Sequence, residues 1–163
     1  MERKLIAFDL DGTLLNNQKQ PLASTVAAIN QLKRQGHAVT IATGRNRRLA
    51  QPVIEQLDFE HAVLCNGSVA FADHQLVYEH TLAPDAFEQC YRDLSERAID
   101  VAVIGLDTTK RLTTFNEGQM DEAMSSFGSV VPDLEADFYQ KHAIYQGLAF
   151  YNETQEFDTS VYD

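Results

Sequence analysis

Phe8-Asp9-Leu10-Asp11-Gly12-Thr13-Leu14-Leu15 is the stretch on which the reading of this chain turns. The short apolar run Lys4 to Phe8 stops at two carboxylates one residue apart and then a glycine, the pattern of a buried strand that opens into a polar loop. Downstream, Pro21 to Gln35 carries Leu22, Val26, Ile29 and Leu32 at helical spacing, with Gly36 as a stop. A strand over His37 to Ala42 and the loop Thr43-Gly44-Arg45 follow. Arg47 to Leu57 then places Leu49, Val53, Ile54 and Leu57 on one helical face, with Pro52 expected to bend or delay that helix. Ala62 to Cys65 is a third buried strand. Strands alternating with helices over short loops predict a parallel α/β sheet with all three strand C-termini on one edge.

After the turn Asn66-Gly67, the alternating runs Ser68 to Ala72 and Gln75 to Tyr78 flank Asp73-His74 and predict a hairpin. Beyond Pro84 the pattern becomes α+β. A helix is expected over Asp85 to Ala98, burying Phe87, Cys90, Tyr91 and Leu94, then a strand over Asp100 to Gly105 and another over Leu112 to Phe115. A helix over Gln119 to Phe127 and a strand over Gly147 to Tyr151 complete the expectation, ahead of an acidic end.

The 163 residues are 44% apolar and 23% charged with only 8 Gly and 4 Pro, which excludes collagen-like, low-complexity and polyelectrolyte chains. A net charge of −11 argues against nucleic acid and anionic membrane as partners. The charge is unevenly placed: residues 1–82 hold 8 basic and 8 acidic side chains, whereas residues 83–163 hold 5 and 16. Two regions are therefore expected, with a boundary near Leu82-Ala83-Pro84. No apolar stretch approaches the roughly 20 residues that span a bilayer. Asp9 and Asp11 also interrupt any signal-peptide-like run, so a cytoplasmic chain is expected. Cys65 and Cys90 lack metal or disulfide spacing and are expected to be buried free thiols.

Ligands of open parallel sheets bind outside the strand C-termini. That rule gathers Asp9, Leu10, Asp11, Gly12 and Thr13 with Thr43, Gly44 and Arg45 and with Asn66 and Gly67. Side chains at i and i+2 of an extended chain point the same way, so Asp9 and Asp11 can share the crevice, where such oxygens suit a hard cation such as Mg2+. Thr43-Gly44 at a helix entrance offers a hydroxyl and N–H groups to a phosphate. A metal site beside an anion site is what phosphoryl transfer requires. Asp9 would be the nucleophile, and Asp11 would protonate the leaving alkoxide and later deprotonate water, which calls for a pKa raised above the usual carboxylate value of about 4. Arg45, Arg47 and Arg48 read equally well as attractors of an anionic substrate or as a solvated helix start.

With these residues in view, Phe8-Asp9-Leu10-Asp11-Gly12-Thr13-Leu14-Leu15 resembles motif one, DxDGT, of the haloacid dehalogenase (HAD) superfamily of phosphatases. Ile41-Ala42-Thr43-Gly44-Arg45 is similar to motif two of its Cof-type branch (subfamily IIB), and Cys65-Asn66-Gly67-Ser68 with the hairpin to that branch's third strand and flap. The resemblance implies an α/β, HAD-like (Rossmannoid) parallel sheet core, incomplete in this chain, with an inserted α+β cap domain. Residues 1–82 would be the N-terminal part of the core with the hairpin flap, and residues 83–163 part of the cap. It implies Asp9 as nucleophile and metal ligand, and Asp11 as acid/base with its backbone carbonyl on Mg2+. Leu10, Gly12, Thr13, Thr43, Gly44, Arg45, Asn66 and Gly67 would surround phosphate or substrate, with Thr43 on the phosphate. The substrate would be a small phosphorylated metabolite: a sugar phosphate, a nucleotide or a phosphorylated cofactor.

The sequence departs from the family in two places. It holds no motif three Lys in core context, Lys141 being inside the cap-like region, and no GDxxND-like motif four, since Asp158 and Asp163 lack that surrounding sequence. An inactive remnant or fragment of such a phosphatase is thus the alternative reading, and self-association is expected if an incomplete core leaves an apolar sheet edge uncovered. A phospho-acceptor signalling domain is a further alternative, disfavoured because Asn66 stands where its acceptor Asp would end the third strand.

Overall fold

Three successive buried residues, Val39, Thr40 and Ile41, mark β2 (Ala38–Ala42) as a strand covered on both faces. It lies between β1 (Leu5–Phe8) and β3 (His61–Leu64) and pairs with both in parallel, with Phe8 opposite Ile41 and Ala42 opposite Val63. The computed structural model describes residues 2–126 and 130–152. The chain divides into two units, Met1–His80 and Thr81–Asp163.

In the first unit α1 (Ala23–Arg34) packs on β2, and α2 (Arg47–Gln56) on β3. Gly36 ends the α1 turn at φ +84°, its N–H bonded to the Lys33 carbonyl, a backbone state that side-chain-bearing residues avoid. Asn46 caps α2 by accepting the Leu49 N–H at 3.1 Å. Pro52 does not delay this helix, which runs from Arg47 to Gln56 with the proline inside it. It forfeits one intrahelical hydrogen bond, while the Asn46 cap and the burial of Ala50 and Val53 hold the element together. The antiparallel hairpin β4 (Val69–Ala72) and β5 (Gln75–Glu79) extends the same sheet, giving the order β1-β2-β3-β4-β5. Its two-residue turn, Asp73-His74, has both φ angles positive, which matches the twist of a tight hairpin. Cys65 lies in a 3-10 turn, Cys65–Gly67, rather than in the third strand, and is fully buried. Burial pushes its thiol up to about 11. The core joins Leu10, Leu14, Ile29, Ile41, Val53, Phe59, Leu64 and Val69. β1 is an edge strand, and Leu5 on it is 72% exposed.

The second unit holds α3 (Pro84–Glu96), β6 (Asp100–Ile104), β7 (Thr109–Arg111), α4 (Glu117–Ser126), α5 (Phe138–Lys141) and β8 (Gln146–Phe150), with β6 central in the order β7-β6-β8. Alternation along β6 feeds two cores. Val101 and Val103 pack with Phe87, Leu94, Phe138, Tyr139 and Ile144, and Ala102 packs with Met120, Met124 and Phe150. Phe87 and Tyr91 stack with ring centroids 6.2 Å apart, and Tyr139 lies tilted against both at 5.3 Å. Cys90 is only half-buried. The expected end of α4 at Phe127 and the acidic end, Asp158 and Asp163 included, lie outside the described residues.

The strand expected over Leu112 to Phe115 is instead β7 at Thr109–Arg111. Leu112 adds one more ladder bond, its N–H to the Val101 carbonyl, and then Asp100 takes over. The carboxylate of Asp100, 1% exposed, accepts from Thr113 Oγ1 at 2.8 Å, Phe115 N at 2.8 Å and Asn116 N at 2.6 Å. Those bonds draw the chain out of the ladder towards α4, a local competition that apolar periodicity cannot register. α5 had no signal because its four residues are too short for a helical period. No helix among the described residues is long and apolar enough to cross a membrane.

Asp100→Ala leaves the buried Thr113 hydroxyl and the part-buried N–H groups of Phe115 and Asn116 without their acceptor. It should lower stability by about 3 kcal/mol, read from urea unfolding followed by circular dichroism. A loss below about 1 kcal/mol would contradict the role given to that carboxylate.

Candidate active site

The parallel register places the ends of β1, β2 and β3 side by side, so Asp9, Thr43 and Cys65 each begin a loop at the same edge of the sheet. In the first loop the chain folds back at once. Leu14 N–H reaches the carbonyls of Asp9 and Leu10, Leu15 N–H reaches Leu10, and the Leu10, Leu14 and Leu15 side chains fill the core below. Gly12 takes φ +74°, which lets the polar residues crowd the rim, and Asp9, Asp11 and Thr13 are exposed there.

The second and third loops are stitched together by backbone bonds, Cys65 N–H to Arg45 O at 3.0 Å and Asn66 N–H to Thr43 O at 3.2 Å. Gly44 leaves room for this approach: a Cβ there would lie 2.7 Å from Asn66 Oδ1, so a larger residue would push the Asn66 amide aside. Asn66 itself is left-handed, φ 54°, a conformation that Asn tolerates better than most residues. Thr43 is buried, and its hydroxyl accepts the Arg45 N–H at 3.3 Å. Gly67 follows at φ +98°.

Arg45 joins the first loop to the second. Its Nε and Nη2 each donate at 2.8 Å to the Asp11 carboxylate, and its Nη1 donates to the Leu49 carbonyl at 3.2 Å. Lys19 Nζ adds a third donor, 2.7 Å from Asp11 Oδ1. Mainly the Arg45 guanidinium, with Lys19 assisting and burial opposing, holds the Asp11 carboxyl down to about 2. This corrects the expectation of a raised value: the surroundings of Asp11 favour its ionised form. The Arg47 guanidinium lies over the Phe71 ring at 5.9 Å, and Arg48 is exposed.

Lys19 was not singled out by spacing. It lies on the small loop after Leu15, where Asn16 Oδ1 accepts the N–H groups of Gln18 and Gln20, and its own φ is 59°. A left-handed backbone costs a residue with a side chain roughly 1–2 kcal/mol, and an exposed ion pair contributes about 0–1 kcal/mol. The pair with Asp11 therefore does not account for Lys19 as a stabilising device. Asn46 is also fully buried at this end of the sheet, and its place before the helix at Arg47 is the signal that could have marked it as a cap.

The donor set can be tested against a divalent cation. Asp9 Oδ1 accepts the Leu10 N–H at 2.7 Å, and its second oxygen has no protein partner among the described residues. An all-oxygen donor of that kind suits a hard cation. The Asp11 carboxylate, occupied by two cations, does not fit as a side-chain ligand in this arrangement. Elsewhere Glu60, His61 and Asp73 bring ligand-type atoms within 4.8 Å of one another, at the opposite ends of the strands. There His61 Nδ1 accepts the Asp73 N–H at 3.2 Å and so secures the hairpin turn.

This geometry can be set beside known proteins. The chain is 31% identical over 156 residues to YkrA of Bacillus subtilis (strain 168), covering 96% of this chain and 60% of that protein. It is 41% identical over 146 residues to the 5-amino-6-(5-phospho-D-ribitylamino)uracil phosphatase YitU of the same organism, covering 88% of this chain and 47% of YitU. A crystal structure of a hypothetical protein from Geobacillus kaustophilus HTA426 superposes with a TM-score of 0.86 at 26% identity, over 99% of this chain and 61% of that one. The chain thus spans about half to three fifths of the length of these three proteins. The paired aspartates after β1, the Thr-Gly-Arg loop and the shared fold accord with the match of residues 6–162 to the model of the haloacid dehalogenase-like hydrolases, and the chain belongs to that family.

Proposed function

We propose that the chain carries the phosphoryl-transfer site of a Mg2+-dependent phosphatase of small phosphorylated metabolites, with Asp9 as nucleophile. The observation that carries this reading is the meeting, at one sheet edge, of an exposed carboxylate with an open oxygen, a second carboxylate two residues on, and a Thr-Gly-Arg loop with polar groups at the rim. YitU acts, by its name, on a phosphorylated ribitylaminouracil, a compound of that class. We assign residues 1–82 to the N-terminal part of the core and residues 83–163 to part of a substrate-selecting cap.

In the first step an Asp9 oxygen attacks phosphorus, the bond from phosphorus to the ester oxygen breaks, and the alkoxide leaves with a proton from Asp11. In the second, water gives a proton to Asp11 and attacks the phosphorus of the aspartyl-phosphate, releasing phosphate and restoring Asp9. Asp11 is ionised in the arrangement described, ready for the second step. It carries the proton for the first only when Arg45 and Lys19 turn away from it, and an incoming phosphate dianion competes for both cations. Thr43 and the Gly44 and Arg45 loop hold the phosphate, with Leu10, Gly12, Thr13, Asn66 and Gly67 around it. Mg2+, when bound by Asp9 and the Asp11 backbone carbonyl, offsets the repulsion between carboxylate and phosphate.

Mg2+-dependent hydrolysis of p-nitrophenyl phosphate should be abolished in Asp9→Asn prepared identically. Equal background in both proteins would instead establish the second reading, an inactive remnant. The ionisation of Asp11 is testable separately by carboxyl-detected NMR titration. In the native chain Asp11 should titrate near 2, and Arg45→Met should move it up towards the ordinary value of about 4. Because the folded value lies below the unfolded one, the Arg45 pair contributes stability above about pH 4 and loses it as the pH falls through about 2. An Asp11 value that does not move in Arg45→Met would contradict that assignment.

A further inference from the structure

The two cations on Asp11 are not equivalent. Arg45 is held on three sides, by two bonds to Asp11 and one to the Leu49 carbonyl, and its side chain is 21% exposed. Lys19 reaches the same carboxylate through one contact of 2.7 Å, its side chain is 48% exposed, and Asp11 is its only side-chain partner among the described residues. Asp11 is already satisfied by the paired Arg45 bonds, so the Lys19 ammonium is a surplus charge with two unused donors at the rim of the loop that bears Asp9. The loop that carries it is closely braced. Asn16 braces it through the N–H groups of Gln18 and Gln20, Asn16 N–H bonds the Gln20 carbonyl, Lys19 N–H bonds the Asn16 carbonyl, and Leu15 and Pro21 bridge its ends. That frame fixes a lysine in a left-handed backbone where Gly or Asn would sit with less strain.

We propose that Lys19 is a phosphate-binding residue of this site: its ammonium leaves Asp11 and pairs with an oxyanion of the phosphoryl group presented to Asp9. The proposal rests on the phosphatase reading above and adds to it a specific residue outside the strand-end motifs. The movement is an exchange of one anion for another. The ammonium gives up a carboxylate oxygen that Arg45 also holds and gains a dianion, and the flexible four-carbon stem makes the transfer without displacing the backbone. Lys19, held by a single contact, is the first cation to move, and Arg45, anchored also to the Leu49 carbonyl, follows before Asp11 gives its proton.

Calorimetric titration of inorganic phosphate into the full chain, in the presence of Mg2+, tests this with Lys19→Asn and Lys19→Arg beside the native protein. Asn accepts the left-handed backbone, so Lys19→Asn should melt at or above the native temperature and still weaken phosphate binding roughly tenfold or more. Lys19→Arg, which keeps the charge, should restore most of the affinity. Unchanged phosphate affinity in Lys19→Asn overturns the proposal, as does a native chain that takes up no phosphate. Reduced turnover with unchanged phosphate affinity also overturns it, because Lys19 would then act only by holding Asp11. Phosphate affinity is read without turnover, so these outcomes are separate from the Asp9→Asn test of the phosphatase reading.

Discussion

The bidentate pair between Arg45 and Asp11 is the interaction on which the arrangement of the site depends. It spans 34 residues of sequence and joins the loop after β1 to the loop after β2. The same Arg45 accepts the Cys65 N–H through its carbonyl, which ties in the loop after β3. The side-chain charge and the backbone carbonyl of one residue thus fasten three loops that the parallel register has already aligned. Without the register the loops would not meet, and without Arg45 the acidic loop would rely on one exposed lysine for its charge balance.

That fastening has a chemical consequence. A carboxylate asked to donate a proton is better served by burial and isolation than by two cations, so Asp11 is set for accepting a proton and must be released before it can give one. In the proposed reaction the anion that releases it is the substrate's own phosphate. Binding and readiness for the first chemical step are therefore coupled through the cations that both anions share. β1 presents Asp9 from an edge position, with no strand beyond it among the described residues and Leu5 largely exposed, in a chain that spans part of the length of its relatives.

Much of the first unit was legible because its signals are local and strong. The apolar run before Asp9, the helix stop at Gly36, the Asn66-Gly67 turn and the Asp73-His74 hairpin each follow from backbone chemistry that one or two residues dictate. The gathering of the Asp9, Thr43 and Asn66 loops followed from parallel topology alone. What escaped depends on contacts distant in sequence. β7 stops short because Asp100 captures Thr113, Phe115 and Asn116, and a polar side chain thirteen residues away leaves no mark on apolar periodicity. The lowered pKa of Asp11 depends on an arginine 34 residues on, and Lys19 enters through a loop whose polar sequence carries no motif. α5 is a single turn, positioned by the burial of Phe138 and Tyr139.

In the proposed reaction an Asp9 oxygen forms the bond to phosphorus. The most direct measurement is borohydride reduction of the chain quenched during incubation with a phosphate ester and Mg2+, followed by peptide mass spectrometry. An acyl phosphate on Asp9 would be reduced to homoserine, and the account predicts that conversion at residue 9 alone. An unmodified Asp9, or homoserine at Asp11 or elsewhere in its place, would contradict it.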